Sequence, residues 1–224
     1  MNDLWLGLAL STALADWVAV AKGEARLERF AKPLTLLFLL IWFAVRTDLQ
    51  GASAWFFAGL FFSLLGDVAL LFERGFLAGL FAFLLAHLCY IVGINSPLGE
   101  VSPVWSLPIA LILALSAARL LRRIAQSLAA RQMHGLILPV YVYGLVLSLM
   151  LLSALMTLFR RDWSTSAALT LAFGAALFYF SDLLLAWDRF VNPLRRGRLW
   201  NMILYHSGQV LLAVGAFWHW GGGL

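Results

Sequence analysis

Charge is scarce in this chain. Of 224 residues only 12% are charged, while 63% are hydrophobic, and the mean hydropathy is +0.90. Soluble domains average about 25% charged and at most about half apolar residues, so an ordinary globular domain is excluded. Cysteine is nearly absent: the single Cys89 rules out an intrachain disulfide and a cysteine-based metal cluster. Neither a Gly-x-Ser-x-Gly nucleophile elbow nor a His-Glu-x-x-His zinc motif occurs. The first residues, Met1-Asn2-Asp3-Leu4, lack a basic n-region, so no cleaved signal peptide is expected. Polar linkers and low-complexity tracts are missing too, so the expectation is one integral membrane domain over 1–224.

What the chain does have is apolar runs along its whole length, with 10 Trp and 17 Phe suited to lipid-facing packing and interfacial belts. Bounded by charges, Pro or Gly, they predict an all-α, polytopic bundle of eight spans: 4–20, 33–45, 52–72, 76–94, 104–121, 133–159, 164–187 and 199–220. A bilayer takes about 20 apolar residues to cross. The second span is therefore short, and becomes adequate if it starts near Leu27 and its basic residues snorkel.

The net charge of +5 and pI of 9.9 point to anionic lipid at loop surfaces rather than to nucleic acid. Loops after the odd-numbered spans hold Lys22, Arg26, Arg29 and Lys32; Arg74; Arg119, Arg122, Arg123 and Arg131; and Arg189, Arg195, Arg196 and Arg198. The other loops hold only Arg46, Arg160 and Arg161 of the 16 basic residues. The positive-inside rule then places the odd loops in the cytoplasm and both termini outside, in a bacterial inner membrane.

Two carboxylates interrupt the apolar runs. Asp67 lies in Ser63-Leu64-Leu65-Gly66-Asp67, and Asp182 in Phe178-Tyr179-Phe180-Ser181-Asp182. An acid inside a membrane is costly and is a functional-site candidate by default. Both fall toward the cytoplasmic ends of spans running in the same direction. Each precedes a charged loop residue (Glu73, Asp188) by six positions, about 9 Å at helical rise. Aligning them also aligns Gly59 with Gly174, sets His87 against the region of Tyr205 and His206, and places Pro33 and Pro139 in the second and sixth spans. Together these suggest a parallel four-plus-four repeat that brings both acids to one crevice. Gly and Pro are also common in membrane helices for packing reasons alone. As structural groups, the acids would bond to neighbours such as Ser63 and Ser181. As a functional pair, two close carboxyls in a low dielectric hold one proton and supply an acid and a base.

Other polar residues have two readings each. His87, with Tyr90 one turn on, is either a neutral His bonded across helices or a group that orients a carboxyl or phosphate. Tyr205, His206 and Gln209, which shares a face with Tyr205, pose the same choice. Lys32 either snorkels or binds a lipid phosphate beside the acids. Asp16 is expected near the interface, capped or solvated. Gly75 and Gly79 read as a packing face. Asp67, Asp182 and His87 have no metal-ligand signature spacing.

Several of these residues form an ordered set: Lys32-Pro33, Ser63-x-x-Gly66-Asp67-x-x-Leu70, His87-x-x-Tyr90, Pro139-x-Tyr141, Gly174-x-x-x-Phe178-x-x-Ser181-Asp182 and Tyr205-x-x-x-Gln209. In these motifs the chain resembles the YhhN-like lysoplasmalogenases, multi-pass membrane enzymes. It departs from them at His206, where a second Tyr is expected. The resemblance implies hydrolysis of the vinyl ether of lysoplasmalogens to a fatty aldehyde and glycerophosphocholine or glycerophosphoethanolamine. Asp67 and Asp182 would be catalytic, and Lys32, Ser63, His87, Tyr90, Tyr141, Ser181, Tyr205 and Gln209 would contact substrate. It implies no metal or organic cofactor; the partners are a lysophospholipid, water and membrane lipid. An apolar tunnel would take the tail and a polar mouth the headgroup. A proton-coupled lipid or small-molecule transporter is the alternative that intramembrane acids and parallel repeats also suit.

Overall fold

A computed structural model describes residues 3–99 and 103–221. Among the described residues the regular structure is entirely helical. There are eight α-helices: α1 (Leu4–Lys22), α2 (Ala25–Arg46), α3 (Ala52–Leu70), α4 (Phe76–Ile94), α5 (Pro103–Ala130), α6 (Ile137–Met156), α7 (Thr165–Phe190) and α8 (Gly197–Trp220). Helices are what such apolar runs must form in lipid, because each helix satisfies its own backbone polar groups. By length and composition α1, α3, α4, α5, α6 and α7 can cross a membrane. The protein is an integral membrane protein.

The two remaining helices, α2 and α8, carry more polar residues. Arg26, Glu28, Arg29 and Lys32 occupy the first turns of α2, and Asn201, His206 and Gln209 lie along α8. Of these, Glu28, Lys32 and Asn201 line the site described below. Two boundaries differ from the sequence expectation. The second helix starts at Ala25 rather than at 33, with Pro33 inside it. Charged side chains that would end an apolar span do not end a helix, and Pro33 forfeits only one backbone hydrogen bond. The fifth helix continues to Ala130 for the same reason, carrying Arg119, Arg122 and Arg123 on its last turns.

Sequence neighbours pack as antiparallel pairs, most intimately α1 with α2, α3 with α4 and α7 with α8. At the α7–α8 contact, a Cβ added to Gly174 would lie 2.6 Å from the Leu212 nitrogen, and one added to Gly215 would lie 2.6 Å from the Leu171 nitrogen. Only glycine permits that backbone approach. Across the pairs, α2 lies against α8 and α6 against α4. Shifting every helix by four positions exchanges those two contacts, as a four-plus-four repeat requires. The main core runs between the pairs through Leu36, Leu39, Phe56, Tyr90, Phe178 and Leu212. A smaller cluster of Ile124, Leu128, Val140 and Phe190 joins α5, α6 and α7 at the basic-loop end. At the opposite end Arg160 ties the loops together. Its guanidinium donates to the Ile94 carbonyl at 2.9 Å, to the Pro97 carbonyl at 3.1 Å and to Asp162. The hydrogen bond from Arg160 holds the Asp162 carboxyl below the usual carboxylate range.

Candidate active site

Asp67 sits near the end of α3 and is fully buried. The preceding Gly66 admits the Phe83 ring of α4, one atom of which would lie 2.6 Å from an added Cβ. Two other helices close on the carboxylate. From α2, the Lys32 ammonium lies 3.2 Å from Oδ1. From α8, the Tyr205 hydroxyl donates to Oδ2 at 2.8 Å. Each partner removes part of the desolvation cost of a buried charge.

Asp182 sits on α7 and is partly exposed. Its partners come from α6 and α4. The Tyr143 hydroxyl donates to Oδ2, and His87 Nε2 is 3.5 Å from the same oxygen and 3.0 Å from the Tyr143 hydroxyl. Phe178 stands between the two sites, packed on the His87 ring at 4.9 Å and edge-on to Tyr205 at 5.3 Å between ring centroids. Asn201 of α8 donates to the Ser181 carbonyl at 2.7 Å and so fixes α8 against the turn of α7 that bears Asp182.

Both aspartates open onto one cavity, with about 800 Å³ of empty space counting its open part. Lys32, Tyr143, Asn201 and Tyr205 line it beside them, and the remainder is apolar, with Leu121, Ile124, Val140, Leu147 and Phe190 among its walls. At Lys32, Asn201 and Met202 it continues into a charged vestibule bearing Glu28, Asp188, Arg189 and Arg198. The vestibule is built from the start of α2, the ends of α3 and α7, and the starts of α4 and α8. Those are the helix ends joined by the basic loops.

The structure thus brings Lys32, His87 and Tyr205 to the two acids. Three other sequence candidates lie apart. The Ser63 and Tyr90 hydroxyls are 3.4 Å apart, and Tyr90 donates to Gln209 at 2.8 Å. All three are buried and are not among the cavity's lining residues. They brace α3, α4 and α8 instead of meeting the lumen. Ser181 is buried, its hydroxyl donating to the Phe178 carbonyl at 2.7 Å and reaching Asp182 Oδ1 at 3.5 Å. Tyr141 is a correction: it is 37% exposed and touches neither acid. Two residues along a helix is about 200° around it, so Tyr141 faces outward where Tyr143 faces in. Sequence reasoning passed over Tyr143, although its i−3 and i+4 neighbours Val140 and Leu147 also line the cavity. Asp16 is a second correction. Expected at the interface, it is fully buried, with Oδ2 3.8 Å from His206 Nδ1. That nitrogen accepts from the Trp17 indole at 3.2 Å.

A mouse protein named lysoplasmalogenase TMEM86B is 36% identical over 186 residues, covering 83% of this chain and 72% of that protein. Its rat counterpart is 33% identical over 186 residues, covering 83% and 70%. The human protein of that name is 32% identical over 155 residues, covering 69% and 59%. No solved structure matches. Residues 27–216, which span every side chain placed around the two aspartates, match the family model described as the YhhN family, and the chain belongs to that family.

Proposed function

We propose that this protein is a lysoplasmalogenase: it hydrolyses the vinyl ether of a 1-alkenyl lysophospholipid, with Asp67 and Asp182 as its acid/base pair. The observation that carries the reading is that both carboxyls open onto one cavity, apolar within and charged at its mouth. A single-chain lipid has the same division. Relatives bearing the name lysoplasmalogenase support the substrate class.

The chemistry is balanced by water alone. An acid protonates the β-carbon of the vinyl ether and leaves an oxocarbenium ion. A base takes one proton from water as its oxygen bonds the α-carbon. The proton taken from water restores the pair's single proton, and the hemiacetal then collapses to a fatty aldehyde and the glycerophospho alcohol as its hydroxyl proton passes, through the pair, to the leaving oxygen. Such a site needs a protonated acid, a base and a negative charge beside the cation. We assign the resident negative charge to Asp67, because Lys32 at 3.2 Å forms its ion pair. Asp182, whose partners are a hydroxyl and an imidazole, is the proton donor. Tyr143 and His87 orient that carboxyl and can return its proton. By the charge of the adjoining loops, the mouth faces the cytoplasm and both termini lie outside.

The test is aldehyde release by purified protein given a lysoplasmalogen. Protonation at carbon should give a primary solvent deuterium isotope effect. An intact vinyl ether together with substrate flux in proteoliposomes would replace the hydrolase with a transporter.

A further inference from the structure

Of the three cations in the charged vestibule, two are held in ion pairs. Lys32 is held by Asp67 at 3.2 Å, and Arg198 is paired with Glu28. Asp188 spends one oxygen on the Leu194 backbone N–H at 2.6 Å. Arg189 is different. Its guanidinium lies over the Phe76 ring at 4.2 Å, and among the described residues no carboxylate pairs with it. A guanidinium stacked on a ring has a fixed plane and leaves its N–H edge free for an oxyanion. Its backbone is fixed as well, because Arg131 donates to the carbonyls of Arg189 and Val191, each at 3.3 Å. The cavity holding both aspartates opens into this vestibule through Lys32, Asn201 and Met202.

We propose that the vestibule is a phosphate-binding subsite in which Arg189, with Arg198 beside it, takes the phosphodiester of the substrate. This inference rests on the proposed hydrolase reading and extends it to recognition. A lipid whose tail fills the apolar cavity, and whose vinyl ether lies at the aspartates, has its phosphate on the vestibule side of Lys32. The geometry places that phosphate against a preorganised guanidinium rather than in bulk water. Arg198 is exposed and can turn from Glu28 to share it. The subsite predicts that phosphate contributes to substrate capture and not to the chemical step.

The experiment compares two substrates in detergent-solubilised full-length protein: a 1-alkenyl glycerophosphoethanolamine and the corresponding 1-alkenyl glycerol, which has no phosphate. Wild type should prefer the phosphorylated lipid in kcat/KM. A charge-assisted hydrogen bond of this kind supports a preference of about tenfold or more. In Arg189→Gln that preference should collapse through KM, with kcat on the phosphorylated lipid little altered. Arg189→Lys, which keeps the charge, should restore part of it. An unchanged preference in Arg189→Gln overturns the subsite. So does an equal loss on both lipids, which marks Arg189 as structural. If wild type cleaves neither lipid, the hydrolase reading fails instead.

Discussion

Asp67 and Asp182 occupy corresponding places in the two halves of the bundle and keep different company. Asp67, on α3, is gripped by α2 and α8; Asp182, on α7, is gripped by α6 and α4. Advancing α2, α3 and α8 by four helices around the eight gives α6, α7 and α4. Which helices serve each acid therefore follows the repeat, while the side chains do not. Asp67 meets an ammonium and a phenol, Asp182 a phenol and an imidazole. Burial differs as well, complete at Asp67 and partial at Asp182. On the proposed reading, a two-fold scaffold with unlike side chains would turn two equivalent positions into an acid and a base. Strict symmetry would give two equal carboxyls with no reason for the proton to sit on either one.

The widest test of that division is to neutralise each acid in turn. Asp67→Asn and Asp182→Asn both keep side-chain volume; Asp67→Asn also leaves the buried Lys32 ammonium without its carboxylate, so thermal unfolding is measured beside activity for each. Each should lose about 10²- to 10⁴-fold in aldehyde release, the usual worth of a positioned acid or base. Because the two act as one unit, the double variant should be little slower than either single variant. Full turnover by both single variants would remove the catalytic claim and leave two structural acids. Strictly additive losses would mean that the two halves work independently.

The second test separates the halves by stability. Lys32→Met strands a buried carboxylate at Asp67, and breaking such a pair costs about 3–5 kcal/mol. Tyr143→Phe removes one hydrogen bond from Asp182, which is partly solvated, and should cost about 1 kcal/mol. Thermal unfolding in one detergent should therefore show a clearly larger fall in Tm for Lys32→Met. Adding Asp67→Asn to Lys32→Met should recover much of the loss, because neither charge then remains. Equal falls for Lys32→Met and Tyr143→Phe would contradict the contrast between an ion-paired half and a neutral one.

The all-helical class, the helix count and the two acids were legible because lipid makes their signals strong: long apolar runs, and charge inside them. The loop charges indicated which helix ends meet, and the vestibule lies at those ends. Helix ends were less legible, since apolar length stops at Lys32 and near Leu121 while the backbone hydrogen bonding runs on. Burial of polar residues was hardest to read. Asp16 lies near the end of α1 in sequence, yet α8 covers it through His206, a contact no local pattern reveals. Ser63, Tyr90 and Gln209 were expected to contact substrate, but a sequence cannot distinguish a hydrogen-bonded brace behind a wall from the wall itself.

Tyr141 and Tyr143 are the finest comparison, two phenols of one helix separated by a single residue. A motif reading favours Tyr141, which follows Pro139 in the family pattern, whereas the geometry gives the aspartate to Tyr143. Tyr141 is exposed on the outer face of α6, where a hydroxyl at a lipid-facing position contributes within about 0.5 kcal/mol, as surface substitutions do. Tyr141→Phe should therefore leave both Tm and aldehyde release near wild type. Tyr143→Phe should slow turnover, because His87 then has no hydroxyl linking it to Asp182 and the carboxyl loses the donor that fixes its orientation. A steady-state comparison of the two variants on one substrate decides the matter. A larger loss for Tyr141→Phe would mean that α6 presents its other face to the cavity, and the assignment of Tyr143 to the second half would fall with it.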